Sequence, residues 1–262
     1  MVPLTDQLTS ANLRAALAQH PFVTEIAYHR RLGSTNTLAK RRANEGAPEG
    51  LLVIADEQTA GRGRLGRTWW APPGSTLLTS LLFRPSLPPD RAQQLTMLCA
   101  LAAADAVGDT TGLAVDLKWP NDLLIKGHKL AGLLTESAFK ANRLDFVIVG
   151  VGLNVNTDFG QALPLIAPAT SLQLELGHAV DRLALLTAYL DGVTQRYGQL
   201  KTQSPYHEWA SRLVTLGQPV TAHLVDQTLS GLATGVDTDG ALLLRTADGV
   251  VHHLLAADVS LR

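Results

Sequence analysis

The sequence predicts an α/β domain followed by a small β barrel. As far as about residue 215, apolar β-rich runs alternate with amphipathic helical segments, which is typical of an α/β domain. After Leu216 the pattern changes to short β-like runs separated by turn residues, which is typical of a small barrel. A chain of 262 residues is long enough for one large domain and a small partner. We therefore expect two domains, over residues 1–215 and 216–262.

The composition excludes several classes of protein. Hydrophobic residues make up 46% of the chain and charged residues 17%, which excludes a disordered chain. The formal net charge of −1 disfavours a globally basic nucleic-acid binder and leaves only local basic patches. Cys99 is the single cysteine, so an internal disulfide and a cysteine-cluster metal site are excluded. Because Cys99 lies in an apolar run, we expect a buried, unreactive thiol.

The sequence contains no segment typical of a secretory signal or a membrane span. Residues 1–6 lack a basic patch followed by an apolar stretch. The longest apolar runs, such as residues 97–104, are far shorter than the roughly 20 residues that cross a bilayer. These observations predict a soluble cytoplasmic protein with no membrane partner.

The first half of the chain alternates helical and strand-like segments. Predicted are a helix over 8–17 with Ser10 as its cap, a strand over 25–29, a helix over 35–44 capped by Ser34, strands over 51–55 and 76–83, and a helix from Pro88 to about residue 107. Residues 57–75 are rich in glycine, proline and arginine and predict a long loop. Long loops in compact domains are usually functional or disordered.

The second half adds a hairpin, two helices and the barrel strands. Predicted are a strand over 115–118, hairpin strands over 123–126 and 129–136, a strand over 145–153, and helices over 181–200 and 205–213. Gly127-His128 predicts a type II′ turn because glycine occupies the first loop position. The barrel strands are predicted over 220–224, 229–236, 241–244 and 250–254.

The segment Gly61-Arg-Gly-Arg-Leu-Gly66 fits the G-x-G-x-x-G pattern but does not predict a Rossmann dinucleotide site. Such a site needs a helix that begins at the glycines, so that its N-terminus faces the pyrophosphate. The prolines that follow, at 72 and 73, prevent a regular helix here. An acidic residue at the end of the next strand, which would bind the ribose, is also missing.

The same loop carries three arginines, Arg62, Arg64 and Arg67. Guanidinium groups pair with carboxylates and phosphates, and the glycines allow the loop to close over an anion. Trp69 and Trp70 at the end of the loop favour a lid that packs over a flat ligand. The alternative is a solvated basic loop with a tryptophan in the core.

The segment Lys118-Trp-Pro-Asn-Asp122 places two polar side chains at the end of a predicted strand. Pro120 excludes a regular central strand at this point, and ligand crevices of α/β domains lie at strand ends. Asn121 is therefore a candidate contact for a base, ribose or phosphate, and Asp122 a candidate ligand for Mg²⁺. The alternative is a plain Asx turn.

Lys129 begins a predicted strand in which residues 129 and 131 share a face. Lys129 would then present an ammonium group beside the small Ala131, leaving room for a ligand. The alternative is a solvated lysine at a sheet edge.

Two glycines on one face of a later strand predict a flat floor. Gly150, Gly152 and Asn154 alternate onto the same face, and glycines in strands often mark close approach of a ligand. Asn154 would supply polar groups at the end of the strand. The alternative is a β-bulge.

Gly33-Ser-Thr-Asn36 lies at the start of a predicted helix. Polar side chains and free backbone N–H groups there suit a neutral polar ligand or an anion. Gln58, just before the arginines, adds a neutral donor and acceptor. The alternative is simple capping of the helix by Ser34.

Together these five segments resemble the bacterial biotin protein ligases, also called biotin–[acetyl-CoA-carboxylase] ligases. Each segment is common by itself, whereas all five in this order are specific, and the resemblance covers nearly the whole chain. It implies a mixed-sheet α/β catalytic domain of the class II synthetase type and an SH3-like C-terminal barrel. It also implies that biotin and ATP, with Mg²⁺, form biotinyl-5′-AMP, from which biotin passes to a lysine of biotin carboxyl carrier protein.

The resemblance also implies roles for individual residues. The biotin side is assigned to Ser34, Thr35, Asn36, Gln58, Arg62, Gly63, Arg64, Lys129, Gly150 and Gly152. The ATP and adenylate side is assigned to Arg64, Arg67, Trp69, Asn121, Lys129, Asn154 and Arg262. Lys129 and Arg64 are the expected catalytic residues, with Asp122 as a candidate Mg²⁺ ligand. No general base is required, because a biotin carboxylate is already ionised at neutral pH and the reaction needs charge stabilisation instead.

Some members of this family carry an N-terminal DNA-binding domain and act as repressors. Only 33 residues run up to the end of Arg31-Leu-Gly33, which is too short for such a domain, so we expect a ligase that does not bind operator DNA. Relatives include monomers and dimers, and a homodimer formed at the sheet edge near Lys129 is one expectation. Two alternatives stay open: a lipoate ligase or acyltransferase of the same superfamily, and a catalytically idle sensor of biotin or nucleotide.

Overall fold

A seven-stranded mixed sheet forms the centre of the larger domain. The structure is a computed structural model that describes residues 8–141, 143–159, 168–224, 226–255 and 257–261. The strands of the sheet are β1 (Glu25–Leu32), β2 (Leu51–Gln58), β3 (Thr76–Phe83), β4 (Asp116–Lys118), β5 (Asp122–Ile125), β6 (His128–Lys140) and β7 (Arg143–Asn154). They lie in the order β1-β2-β3-β7-β6-β5-β4. The β1–β2 pair is parallel and the other neighbours are antiparallel, as a mixed α/β sheet requires.

Helices cover the two faces of this sheet unequally. They are α1 (Ser10–Ala16), α2 (Thr35–Asn44), α3 (Gln93–Thr111), α4 (Leu172–Leu176), α5 (Arg182–Gln199) and α6 (Tyr206–Ser211). The apolar α3 packs with α5 over one face and forms the main core. On the other face the apolar side of α2 packs on β2, β3 and β7 around Val53, Leu82 and Ile148. Beyond this cluster, Gly150 and Gly152 of β7 are covered by the side chains of Asn36 and Trp69. None of the helices in the described part of the chain is long and apolar enough to span a bilayer.

A five-stranded antiparallel sheet forms the C-terminal domain. Its strands are β8 (Pro219–His223), β9 (Thr228–Val236), β10 (Leu242–Thr246), β11 (Val251–Leu254) and β12 (Asp258–Leu261), in the order β11-β10-β9-β8-β12. The change of pattern after Leu216 therefore marks a small SH3-like sheet domain, as predicted. The sequence did not indicate β12, which is only four residues long.

Two hydrogen bonds and a shared core attach this second sheet to the first. The indole Nε1 of the buried Trp119 donates to the carbonyl of Gly240 at 2.8 Å. The hydroxyl of Tyr206 donates to the carbonyl of Val236 at 2.7 Å. Apolar residues of both sheets belong to one continuous buried cluster. The two domains therefore pack as one body around their contact.

Several predicted element boundaries need correction. Thr9, not Ser10, is the N-cap of α1, because its hydroxyl accepts from the backbone N–H of Asn12. The segment after Pro88 first forms a 3₁₀ turn, and α3 runs from Gln93 to Thr111. The short α4 was not predicted, since five residues are too few to show a period.

The hairpin turn before Lys129 also differs from the prediction. Ile125 pairs with His128, so the two loop residues are Lys126 and Gly127, with φ of 49° and 80°. Positive φ at both positions is the type I′ turn, not the type II′ turn expected at Gly127-His128. Moreover, β6 pairs with β5 and β7, so Lys129 does not lie on a sheet edge. The expectation of a homodimer formed by strand pairing at Lys129 is therefore wrong.

Candidate active site

A single open cleft collects most of the predicted site residues. It encloses about 910 Å³, open solvent included, between the start of α2, the arginine loop, the β5–β6 hairpin, β7 and β12. The predicted residues that line it are Ser34, Thr35, Asn36, Gln58, Arg62, Gly63, Arg64, Arg67, Trp69, Asn121, Asp122, Lys129, Gly150 and Gly152. Segments that are far apart in sequence, from Ser34 to Asp258, thus meet at one place.

A neutral polar cluster lies at the N-terminus of α2. The Gln58 Oε1 accepts from the backbone N–H of Thr35 at 2.7 Å and from its hydroxyl at 3.1 Å. Ser34 occupies the N-cap position, but its side chain makes no capping hydrogen bond. Gln58, at the end of β2, therefore takes the capping role that was expected of Ser34. The Ser34 hydroxyl lines the cleft instead.

The Asn36 amide is fixed in one orientation against the floor of the cleft. Its Nδ2 donates to the Leu134 carbonyl at 3.0 Å and to Glu136 Oε2 at 3.1 Å. Its Oδ1 accepts from the buried Ser80 hydroxyl at 2.6 Å. A Cβ atom at Gly150 would lie 2.1 Å from this Oδ1, so only glycine lets the amide lie here.

The Trp69 indole lies flat on the second part of the floor. A Cβ atom at Gly152 would lie 2.6 Å from the indole Cε2, and one at Gly132 would lie 3.1 Å from Cζ3. The floor that the glycine spacing predicted therefore carries an aromatic ring of the protein itself. The indole Nε1 is buried and lacks a hydrogen-bond partner within the described residues. This nitrogen lies against β7, where a Cβ atom at Gly152 would be 2.8 Å away.

The arginine loop is an ordered hairpin. Arg62 and Thr68 form an antiparallel bridge, and the Trp69 N–H donates to the Gly61 carbonyl at 3.0 Å. A Cβ atom at Gly61 would lie 2.4 Å from the Trp69 carbonyl oxygen, so the two arms approach through this glycine. At the tip, Leu65 has a φ of 53° and is half exposed. Only a three-residue 3₁₀ turn, Arg64–Gly66, forms here, and no α-helix begins at these glycines, which agrees with the rejection of a Rossmann site.

Two ion pairs attach this loop to the rest of the cleft. Arg62 Nη1 lies 3.3 Å from Glu136 Oε2 on β6. Arg67 pairs with Asp258 on β12, so the C-terminal sheet also holds the loop. Arg64 is directed inward, and burial lowers the pKa of its guanidinium although nearby carboxylates oppose the shift. Because an arginine stays protonated, burial leaves a charged donor over the cleft.

Lys129 supplies a second cation, opposite the loop. Its Nζ lies 2.6 Å from Asp122 Oδ1 and 5.6 Å from the centre of the Trp69 ring. The side chain is 32% exposed, so it is neither a core residue nor a freely solvated one. The ammonium group is therefore positioned from two sides at the mouth of the cleft.

A β-bulge changes which residues share the face of Lys129. Leu123 pairs with Ala131 but Leu124 pairs with Lys129, so β6 contains one extra residue. Ala131 is consequently buried in the core and does not lie beside Lys129, contrary to the strict alternation expected. The lysine lies instead over Gly132, where a Cβ atom would be 3.3 Å from Nζ. Glycine at 132, not alanine at 131, therefore makes room for the Lys129 side chain and the Trp69 ring.

Of three further residues expected on the nucleotide side, the structure places Asn121 in the cleft lining but not Asn154, and it does not describe Arg262. Asn121 lines the cleft, and its amide donates to the Leu133 carbonyl. Asn154 is buried and donates to the Thr170 carbonyl at 3.1 Å, and it lies apart from the cleft lining. Arg262 lies outside the described residues.

The carboxylates of the cleft are already engaged by cations. Asp122 pairs with Lys129, and Asp258 pairs with Arg67. Within the described ranges, a group of three donors close enough to share a metal ion occurs only at a turn of the C-terminal sheet, formed by Asp237, Asp239 and His253. Asp122 is therefore a single carboxylate and not part of a preformed oxygen cage.

The sequence did not indicate four residues that complete the site. Ser80 fixes Asn36, Glu136 and Asp258 hold the loop, and Lys118 lines the cleft. A signal existed for two of them, because Ser80 and Glu136 are polar residues within apolar strands. Asp258 begins a strand that the sequence did not predict.

Comparison with known proteins identifies the family. The model of the biotin/lipoate A/B protein ligase family matches residues 28–154, and that of the biotin protein ligase C-terminal domain matches residues 215–262. The bifunctional ligase/repressor BirA of Bacillus subtilis (strain 168) is 37% identical over 261 residues, covering 97% of this chain and 79% of that protein. The chain belongs to the biotin protein ligase family.

Other biotin protein ligases agree in sequence and structure. The biotin–[acetyl-CoA-carboxylase] ligase of Paracoccus denitrificans is 38% identical over 226 residues, covering 84% of this chain and 93% of the relative. The biotin protein ligase of Aquifex aeolicus in complex with biotin and ATP superposes with a TM-score of 0.75 at 28% identity. That match covers 91% of this chain and 99% of the solved one. The family fold therefore extends over both sheets.

Proposed function

We propose that this chain is an ATP-dependent biotin protein ligase. It forms biotinyl-5′-AMP from biotin and ATP and then transfers biotin to a lysine of biotin carboxyl carrier protein. The observation that carries the proposal is one cleft that joins a neutral polar cluster at α2 to a cationic loop and Lys129. The names of the Paracoccus relative and of the Aquifex complex support the same reaction.

The polar cluster suits the ureido ring of biotin, which is neutral and carries both N–H groups and a carbonyl oxygen. Ser34 and Thr35 offer hydroxyls, and Gln58 and Asn36 offer amides, all lining the cleft. Gly150 and Gly152 let the Asn36 amide and the Trp69 ring lie close against β7, and the biotin ring is proposed to bind over these two side chains. A lipoyl ring has no polar group that would use these side chains, so the cluster favours biotin over lipoate.

The cations suit the first chemical step. A biotin carboxylate oxygen attacks the α-phosphorus of ATP, the bond to the bridging oxygen breaks, and pyrophosphate leaves with the electron pair. Because the carboxylate is already ionised, the protein has to bring two anions together and stabilise the added charge. Lys129 and Arg64 provide fixed positive charge for this, and the loop with Arg62 and Gly63 excludes water from the mixed anhydride.

The outer part of the cleft suits the nucleotide. Arg67, Trp69 and Asn121, which all line the cleft, are the proposed contacts. Mg²⁺ is expected to enter with ATP as part of the substrate, since Mg²⁺ usually binds through substrate phosphates and one or two carboxylates. Asp122 is the carboxylate proposed for that contact, at the cost of its pair with Lys129. The roles of Asn154 and Arg262 stay predictions.

The second step transfers the biotinyl group. A neutral lysine amine of the carrier attacks the acyl carbonyl, AMP leaves as its phosphate anion, and one proton is lost from the new amide nitrogen. We assign the catalytic domain to residues 1–215 and the C-terminal domain to residues 216–262. The family match that begins at residue 215 supports this boundary.

Intact-mass analysis of a carrier domain tests the proposed function. With the chain, biotin and Mg-ATP present, the carrier should gain one biotinyl group, and omission of ATP should abolish the gain. Pyrophosphate exchange should depend on biotin and not on lipoate. Exchange with lipoate alone would favour a lipoate ligase, and biotin binding without exchange would favour a sensor. Sedimentation velocity measures whether the chain forms a homodimer. Of the two outer strands of the seven-stranded sheet, β1 is the one proposed for such pairing, because β4 is hydrogen-bonded to residues 212–214.

A further inference from the structure

The Glu136 carboxylate lies between the polar cluster and the arginine loop. It is 14% exposed and accepts from Asn36 Nδ2 at 3.1 Å. On its other side it pairs with Arg62 Nη1 at 3.3 Å, and Lys40 Nζ is a third partner at 3.3 Å. The Glu136 carboxylate therefore contacts both Asn36, on the floor of the cleft, and Arg62, in the loop that covers the cleft.

We propose that Glu136 couples binding of the ureido ring to closure of the arginine loop. It acts as a positioning residue, since it reaches the ligand through Asn36 and the loop through Arg62. This inference deepens the proposed biotin ligase function and rests on it.

The first half of the coupling is the orientation of Asn36. A carboxylate accepts hydrogen bonds and does not donate them, so Glu136 requires the NH₂ end of the Asn36 amide. With Leu134 as the second acceptor, both Nδ2 protons are used. The Oδ1 end must then face the floor beside Ser80, where its remaining lone pair can accept an N–H. The ureido ring supplies such an N–H.

The second half is the strength of the pair with Arg62. Arg62 is 49% exposed, so in the empty cleft water screens its attraction to Glu136 and the loop can open readily. A ring bound over Asn36 removes water from the neighbouring carboxylate. The attraction between unlike charges rises as the effective dielectric constant falls. Binding at the ureido end should therefore strengthen the attachment of the loop.

The test compares Glu136→Gln with Glu25→Gln as a matched control. Glu25 pairs with Arg42 of the same helix α2 at 2.7 Å but does not contact the loop. Hydrogen exchange of the backbone amides 61–69 is measured with and without biotin, together with the rate at which biotinyl-5′-AMP leaves the enzyme. Biotin should protect the loop in the wild type and in E25Q. In E136Q the protection should fall about fivefold or more and release should accelerate by a similar factor, the size expected when a partly screened charge pair is lost.

The outcomes separate the coupling from the function. If E136Q keeps the protection and release rate of E25Q, Glu136 does not couple the two ends and the inference is wrong. If the wild type neither binds biotin nor forms the adenylate, the proposed function fails and the inference falls with it. Should E136Q not fold, Arg62→Gln carries the test, because it removes the loop partner and leaves Glu136 with Asn36 and Lys40. Unchanged protection in R62Q would then overturn the coupling.

Discussion

The Lys129 ammonium group lies 2.6 Å from the Asp122 carboxylate, across the cleft from the arginine loop. A β-bulge in β6 gives the lysine this position, since regular alternation would place Ala131 on the same face. The pair keeps the cation at the mouth of the cleft before any substrate binds. A substrate carboxylate or phosphate then meets a cation that is already positioned.

Lys129→Gln should reduce biotinyl-5′-AMP formation by about 100-fold to 1,000-fold, because a fixed positive charge at the reacting groups is lost. Biotin affinity should change by less than fivefold, since the polar cluster at α2 is untouched. Pyrophosphate exchange and calorimetry measure the two quantities. The control is Lys126→Gln on the same hairpin, which removes a surface pair with Glu175 and should leave exchange unchanged. Normal exchange in K129Q would contradict the assignment.

Gly150→Ala should weaken biotin binding by more than about tenfold and destabilise the fold by about 1–3 kcal/mol. The added methyl group would lie 2.1 Å from Asn36 Oδ1, so the amide must leave its position. Thermal melts and biotin titration measure the effects. Gly198→Ala in α5 is the control, because a Cβ atom there meets nothing within 4 Å and should leave binding intact. Tight biotin binding by G150A would show that Asn36 is not needed in its observed place.

Arg67→Gln and Asp258→Asn should loosen the attachment of the arginine loop but hardly change the free energy of unfolding of the protein. The pair is largely exposed on the arginine side, so each change should cost no more than about 1 kcal/mol. Either substitution should raise hydrogen exchange in the loop and increase the KM for ATP. The double variant should be no worse than R67Q alone, because R67Q already removes the pair with Asp258. Additive effects on KM would mean that the two residues act separately.

Asp105→Asn should lower the melting temperature at pH 7 by about 2–4 °C. Burial alone would raise the pKa of Asp105, but hydrogen bonds from Arg212 and Arg196 hold it below its usual 3.8. A depressed pKa in the folded state stabilises the protein above pH 4 and loses that effect as the pH falls through the folded-state value. Solvent screening limits the contribution to roughly 1 kcal/mol, since the carboxylate is one-third exposed. Melts at pH 7 and pH 2.5 should show a smaller difference between the variant and the wild type at pH 2.5.

Cys99 should not react with iodoacetamide at pH 8 in the native protein. Burial raises the pKa of the thiol to about 12, so the reactive thiolate is scarce as well as inaccessible. Labelling should begin only when guanidinium chloride unfolds the chain, at one equivalent per molecule. Rapid labelling without denaturant would show that α3 opens locally.

The sequence predicted the sheet and most of the cleft because both depend on local signals. The runs that became β3 and β7 are mostly apolar, and several of the polar segments lie next to the ends of such runs. Glycines at 61, 150 and 152 each mark a close approach that the structure contains. Such positions can be recognised before the partner atom is known, since only glycine tolerates the contact.

The rest depended on contacts between distant segments. Gln58 replaces Ser34 as the cap of α2 because β2 runs parallel to β1 and ends beside the helix. Glu136 is close to Arg62 only because the folded chain places β6 next to the arginine loop. The bulge that turns Lys129 toward the cleft follows from pairing with β5, which no single strand's periodicity encodes.

Because Asp258 and Ala257 belong to the wall of the cleft, the C-terminal sheet cannot be exchanged for that of a relative without changing the cleft. A chimaera joined near residue 215 would replace both Asp258, the partner of Arg67, and the segment around Gly240, whose carbonyl accepts from the Trp119 indole. In a recombination library made from relatives, residues 61–69, Trp119-Pro120 and the last strands should therefore all come from the same parent.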